Sequence, residues 1–151
     1  MSEIINSFRN EYLFLSNFYR CDIIIFSSYN PLAVPYKTVE HYYQASKATN
    51  ITDHMKITNL SSAGAAKNFG RKIKLRDDWE DIKIDIMKKA LKEKFSNPIF
   101  NKKLRETGTK ILIEGNHWGD TYWGVDIKTG IGQNMLGKLL MEIRDEVNNV
   151  K

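Results

Sequence analysis

Thr38-Val-Glu-His-Tyr-Tyr-Gln-Ala-Ser-Lys47 gathers reactive side chains at a place where a helix should begin. Thr38 is placed to act as N-cap, because its hydroxyl can accept a hydrogen bond from a first-turn N–H that has no partner inside the helix. Glu40 then falls in the first turn, where the positive end of the helix dipole favours a carboxylate. The spacing i, i+4, i+7 puts Glu40, Gln44 and Lys47 in one row, so an acid, an amide and an amine share a face. The same spacing also describes a solvated polar stripe in which Glu40 only complements the dipole. The rest of the chain has to decide between the two.

Composition sets outer limits. A chain of 151 residues with 42% hydrophobic and 11% aromatic content can build one sizeable core, so a single domain over 1–151 is expected. Twenty-three Lys and Arg against 18 Asp and Glu give a net charge of +5, which attracts phosphates, nucleotides or nucleic acid without choosing among them. The lone Cys21 cannot form an internal disulfide. No charged and then apolar leader opens the sequence, and no apolar run approaches the ~18 residues of a membrane span. A cytoplasmic protein with no membrane partner is expected.

Along the chain, Ile4 to Phe8 and Cys21 to Phe26 are β-branched or aromatic runs that read as strands. Between them, Phe14-Leu-Ser-Asn-Phe18 either presents an amide and a hydroxyl to a ligand or is a loop packed on the core by its two aromatics. Asn30-Pro31 and Val34-Pro35 favour extended or turn geometry and lead into the Thr38 helix. Helical patterns continue through Thr52 to Asn59 and Ser61 to Gly70. Gly70 suits a C-terminal cap with positive φ, and Arg71 then follows beside the negative end of that helix. Arg71 equally suits the edge of a phosphate or carboxylate pocket, which its bidentate geometry serves better than lysine's.

Asp77 and Asp78 precede the longest helical pattern, with Trp79, Ile82, Ile86, Ala90, Leu91 and Phe95 as its apolar stripe. Trp79 either packs at the helix end or offers its indole to a base. Asn97-Pro98 starts another helix, Thr107-Gly108 ends it, and Lys110 to Glu114 reads as a strand. Glu114-Gly-Asn-His-Trp-Gly-Asp-Thr-Tyr-Trp-Gly-Val-Asp126 has little periodicity but two tryptophans and a second carboxylate, Asp120. His117 lacks partners at metal spacing, so no metal site is expected. Gly130 to Gly137 lacks the residue order of a phosphate loop and leads into a final helix, which Asn134 either caps or flanks with an amide aimed at a site. At least five helices against three or four short strands make the expected fold predominantly helical α+β.

Taken together, Thr38 to Lys47, Phe69-Gly-Arg71, Asp78-Trp-Glu80, Asp120-Thr-Tyr-Trp-Gly124 and Asn134-Met-Leu-Gly137 resemble, in order and spacing, the YbiA-like NADAR family. The resemblance runs from Phe14 to Arg144. It implies a mainly helical domain that hydrolyses N-glycosidic bonds of ribosylated compounds with neither metal nor cofactor. Family activities include cleavage of early riboflavin-pathway intermediates and removal of ADP-ribose from guanine. Glu40, Lys47 and Asp120 fall on family positions that the resemblance makes catalytic. Asn17, Phe18, Arg71, Trp79, Trp123 and Asn134 fall on positions that it makes substrate-binding. The implied partner is a small, ribosylated, nucleotide-like substrate, with ADP-ribosylated nucleic acid as a second candidate, and the oligomeric state is left open.

The residue types suit that chemistry. Breaking a C1′–N bond builds positive charge on ribose, so one carboxylate can move a proton while another stabilises the sugar. A lysine can orient the first acid or a phosphate, or attack an opened ribose as an amine. A protein of another class, binding nucleic acid through its basic surface without catalysis, fits the charge alone.

Overall fold

The computed structural model describes residues 3–149. These form six α-helices and one short 3₁₀ helix against four two-residue strands, the predominantly helical α+β composition expected. Backbone contacts divide the chain into two units: one is Asn17–Ser96, and the other joins the N-terminal segment up to Ser16 to the segment from Asn97 onward.

The Asn17–Ser96 unit is built around α1 (Val39–Ala45), which packs against α2 (Ile51–Thr58), α3 (Ala63–Gly70) and α4 (Trp79–Ser96). Thr38 caps α1 as expected, its Oγ accepting the His41 N–H at 3.1 Å. His41 then locks the cap. Its Nε2 lies 2.9 Å from the Leu60 carbonyl and must donate to it, which leaves Nδ1 to accept the Thr38 hydroxyl at 2.8 Å. Burial lowers the His41 pKa and favours this neutral ring. Upstream, the buried Asn30 amide bonds Val34 through both its ends and braces the loop that delivers Tyr36 and Thr38.

Three readings of this unit change. Cys21 to Phe26 is not a strand: Ile23 and Ile25 are buried and Ile24 and Phe26 exposed, as in a strand, but the segment forms only a bridge between Ile23 and Tyr36. Gly70 has no positive φ and lies inside α3, so its role is packing rather than a cap. Along α4, Trp79, Ala90, Leu91 and Phe95 are buried as expected, whereas Ile82 and Ile86 are only half-buried.

Lys94 is also buried on α4, with 1% of its surface exposed, and burial brings its pKa down from 10.5 to about 8 while Cys21 opposes the shift. Below pH 8 both folded and unfolded chains carry this proton, and the fold bears the full cost of burying the charge. Between pH 8 and 10.5 the unfolded chain binds more protons, so stability rises with pH. Lys94→Met is therefore expected to stabilise the protein at neutral pH, by at most about 3 kcal/mol because the ammonium contact with the Phe95 ring is lost, with the gain closing as pH approaches 10.5. Urea unfolding at pH 7 and pH 10 checks this.

In the second unit, the 3₁₀ helix Asn10–Leu15 follows β1 (Ile4–Ile5). β1 pairs in parallel with β2 (Ile111–Leu112), Ile4 opposite Ile111 and Ile5 opposite Leu112. Both strands are shorter than the runs that suggested them. α5 (Pro98–Glu106) starts with Asn97 as cap and Pro98 in its first turn, and Gly108 beyond its end takes φ +63°. β3 (Gly115–Asn116) pairs in parallel with β4 (Val125–Asp126). α6 (Met135–Asn149) packs on β2 and α5, burying Leu136, Leu139, Leu140 and Ile143. Gly137 makes the α6–β2 seat possible, because a Cβ there would run into the Leu112 carbonyl oxygen. No helix among the described residues is long and apolar enough to cross a membrane.

Candidate active site

The row Glu40, Gln44, Lys47 is not a solvated stripe. Glu40 is 7% exposed and Gln44 4%, because α2, α3 and α4 enclose α1. The Gln44 Nε2 donates to Glu40 Oε1 at 2.8 Å. Lys47 lies just past the end of α1, in a tighter turn whose amide bonds the Gln44 carbonyl at 3.1 Å. That turn keeps lysine on the side of the row.

Aromatic rings floor the lysine. Its Nζ lies 5.3 Å from the Tyr43 ring centroid and 5.8 Å from that of Trp79. The two rings meet edge to face at 5.0 Å, and both are buried. Burial lowers the Lys47 pKa, Glu40 pulls it back up, and the positive charges of Arg71, Lys67 and Lys83 lower it further. An amine held this way loses its proton more readily than a surface lysine, which is what a nucleophilic or proton-accepting lysine requires.

The remaining residues of this unit sit around the row. The Asn17 carbonyl accepts the Glu40 N–H at 3.1 Å, while the Asn17 Nδ2 faces the Met87 sulfur at 3.5 Å. The Asn17 Oδ1 is buried without a hydrogen-bond partner. Phe18 is 46% exposed, with the Lys67 ammonium 6.0 Å from its ring centroid. Arg71 is exposed at the end of α3 and couples electrostatically to Lys47. Asn17, Phe18, Glu40, Lys47, Arg71 and Trp79 thus belong to one unit.

Asp120, Trp123 and Asn134 belong to the other unit and form a local cluster there. Asp120 Oδ1 accepts the N–H groups of Tyr122 and Trp123 at 3.0 and 2.9 Å, and its own N–H donates to Asn116 Oδ1. Trp123 lies edge to face with Tyr122 at 5.0 Å. Asn134 takes φ +53°, and both ends of its amide are engaged: Oδ1 accepts from Glu114 N and Nδ2 donates to Leu112 O. Its side chain therefore fastens the start of α6 to β2.

Tyr43, Lys67 and Lys83 shape the lysine's surroundings but do not stand out in the sequence, whereas Gln44 already shares the row with Glu40 and Lys47. Tyr43 and Lys47 are four residues apart, a spacing that could have revealed their contact. Lys67 and Lys83 reach the site only through the packing of α3 and α4 on α1.

On the face of α1 that carries Tyr42 and Ser46 lies a separate cavity of about 430 Å³, also lined by Tyr29, His54 and Arg76. Its groups bond to their own surroundings: Tyr36 OH meets His54 Nε2 at 2.7 Å, Ser46 Oγ donates to Tyr42 O, and Arg76 pairs with Asp78. Among the described residues, no three His, Cys, Asp or Glu side chains converge as a metal-binding group.

Comparison with known proteins agrees with the resemblance in the motifs. The profile of the NADAR domain matches residues 5–148, across both units. The chain is 35% identical to a riboflavin biosynthesis protein of Vibrio vulnificus over 89% of its own length, but it spans only 35% of that protein. It is 35% identical to an N-glycosidase of Nostoc punctiforme, with 83% of this chain and 86% of that one covered. The NMR structure of Escherichia coli YbiA superposes with a TM-score of 0.84 at 34% identity, covering 98% of this chain and 87% of that one. The sequence motifs, the shared fold and the family match together place this chain in the NADAR domain family.

Proposed function

We propose that this protein is an N-glycosidase that hydrolyses the C1′–N bond of a small ribosylated, nucleotide-like substrate. The observation that carries the reading is the buried Glu40 on α1, held by Gln44, together with the half-buried Lys47 just past the helix end, whose pKa burial lowers and Glu40 raises. Together they supply a proton-transfer group and a reactive amine. The names of the Nostoc and Vibrio relatives support glycosidase chemistry and a riboflavin-pathway substrate respectively.

In this reading Glu40 moves the proton that assists departure of the nitrogen, or activates water. Trp79 and Tyr43 confine the lysine, and Arg71 with Lys67 attracts substrate phosphate. By the family resemblance Asn17 and Phe18 are further substrate-binding positions of this unit, while Asp120, as a catalytic position, and Trp123 and Asn134, as substrate-binding ones, lie in the other unit. Phosphoribosylamino-pyrimidines are the first substrate class. The cationic surroundings of Lys47 suit the diphosphate of an ADP-ribosyl group as well, so ADP-ribosylated guanine is the second.

Parallel incubation with a phosphoribosylamino-pyrimidine and with ADP-ribosylated guanine, followed by mass, tests the proposal. Loss of the glycoside with appearance of free amine or base and a reducing sugar is expected from the first. If both stay intact while DNA binds tightly and with steep salt dependence, the enzyme reading fails and a nucleic-acid-binding protein takes its place.

A further inference from the structure

We infer that Gln44 is the positioning residue of Glu40, holding its carboxylate for proton exchange, and that Gly70 is glycine in order to hold the Gln44 amide in place. This rests on the proposed role of Glu40. Only the nitrogen end of the amide can donate to a carboxylate, so the 2.8 Å bond to Glu40 Oε1 fixes the orientation of Gln44. Its Oε1 is thereby turned towards α3, where it is buried without a hydrogen-bond partner. A Cβ on Gly70 would run into that oxygen and lie 2.8 Å from the amide carbon.

Two local costs therefore meet at one contact. A buried carbonyl left unpaired destabilises a fold, and so, by less than in a helix interior, does a glycine at the last residue of α3. Violations of local rules that coincide at a reactive group point to function. Here both serve one end, an N–H delivered to Glu40 Oε1. That N–H holds the carboxylate in the orientation in which it exchanges a proton with substrate or water. Glu40 couples electrostatically to Lys47 beyond α1, and Lys47 in turn to Lys67 and Arg71 from α3 and its end and to Lys83 on α4.

A donor to the charged form favours ionisation, so its removal raises the pKa of the acid. Gln44→Met keeps length and helix compatibility but has no N–H. In this variant the limb of the pH–rate profile set by Glu40 should move up by about one pH unit, whether Glu40 acts as base or acid. Turnover of a phosphoribosylamino-pyrimidine should fall by roughly ten-fold with KM near parental. The Glu40 carboxyl, followed by ¹³C NMR of the substrate-free protein, should titrate higher by the same interval. Gly70→Ala, which dislodges the amide from the other side, should reproduce the shift. The double variant should be no worse than the worse single one, because both act through one hydrogen bond.

A parental carboxyl titration and pH profile in folded Gln44→Met would overturn the inference, and that arm decides even if Gly70→Ala does not fold. An inactive Glu40→Gln beside an unchanged Gln44→Met sinks only the positioning role. An active Glu40→Gln sinks the reading on which it rests.

Discussion

Replacing Glu40 with glutamine is expected to lower turnover by roughly 10²-fold or more while leaving the fold intact. The carbonyl oxygen of a glutamine at position 40 can still accept the Gln44 N–H, so the packing of α1 against its neighbours is kept. Losing a first-turn carboxylate costs only about 0.3 to 1 kcal/mol, and removing a buried charge offsets part of that. The melting temperature should stay within about 4 °C of the parent. Glu80→Gln is the control. Glu80 also lies in a first helical turn, but its own side chain is exposed, and it pairs at 2.6 Å with the half-buried Lys83. Its loss should leave turnover within a few-fold of parental, since it reaches Lys47 only through Lys83, the smallest of the charges acting there.

Lys47→Arg is expected to abolish turnover by roughly 10³-fold or more if the amine enters the chemistry, because a guanidinium keeps the charge but is not a nucleophile. In the covalent route the Lys47 amine attacks C1′, and the C1′–N bond breaks as the leaving nitrogen takes both its electron pair and a proton. The sugar ring then opens to an imine, which water hydrolyses. Borohydride added during turnover should deliver hydride to that imine and leave a stable sugar adduct on Lys47, visible by intact mass and absent from Lys47→Arg. The free amine is required, so the rate should rise with pH through the Lys47 pKa, which burial places below the ordinary 10.5. Absence of any adduct together with full activity of Lys47→Arg would confine lysine to orienting Glu40.

Local chemistry was legible in the sequence, and burial was not. The Thr38 cap and the Asn97-Pro98 start reach only three residues along the chain, so they are written in neighbouring letters. Glu40, Gln44 and Lys47 likewise share a row by helical geometry alone. The burial of that row comes from α2, α3 and α4, and no local pattern distinguishes it from a solvated polar face. Gly70 misled for a related reason: a glycine near a helix end suggests a cap, whereas its real constraint is the Gln44 side chain on another helix. In Cys21 to Phe26 the β-branched and aromatic letters suggest a strand, but the length of a strand depends on a partner, and the segment finds only Tyr36 and the Lys37 carbonyl. Asn134 was open between cap and site. Its amide bonds to residues 20 and 22 positions away explain why the sequence could not choose.

Single-turnover product counting tests most directly whether the buried row of α1 breaks a C1′–N bond. Parent and Glu40→Gln proteins, each shown to melt normally, are mixed in excess with a phosphoribosylamino-pyrimidine, and free amine and reducing sugar are counted over time. One amine per sugar is expected from the parent, with both appearing at least about 10²-fold more slowly from Glu40→Gln. Release of both products at the parental rate by Glu40→Gln would contradict the assignment of this row as the catalytic centre.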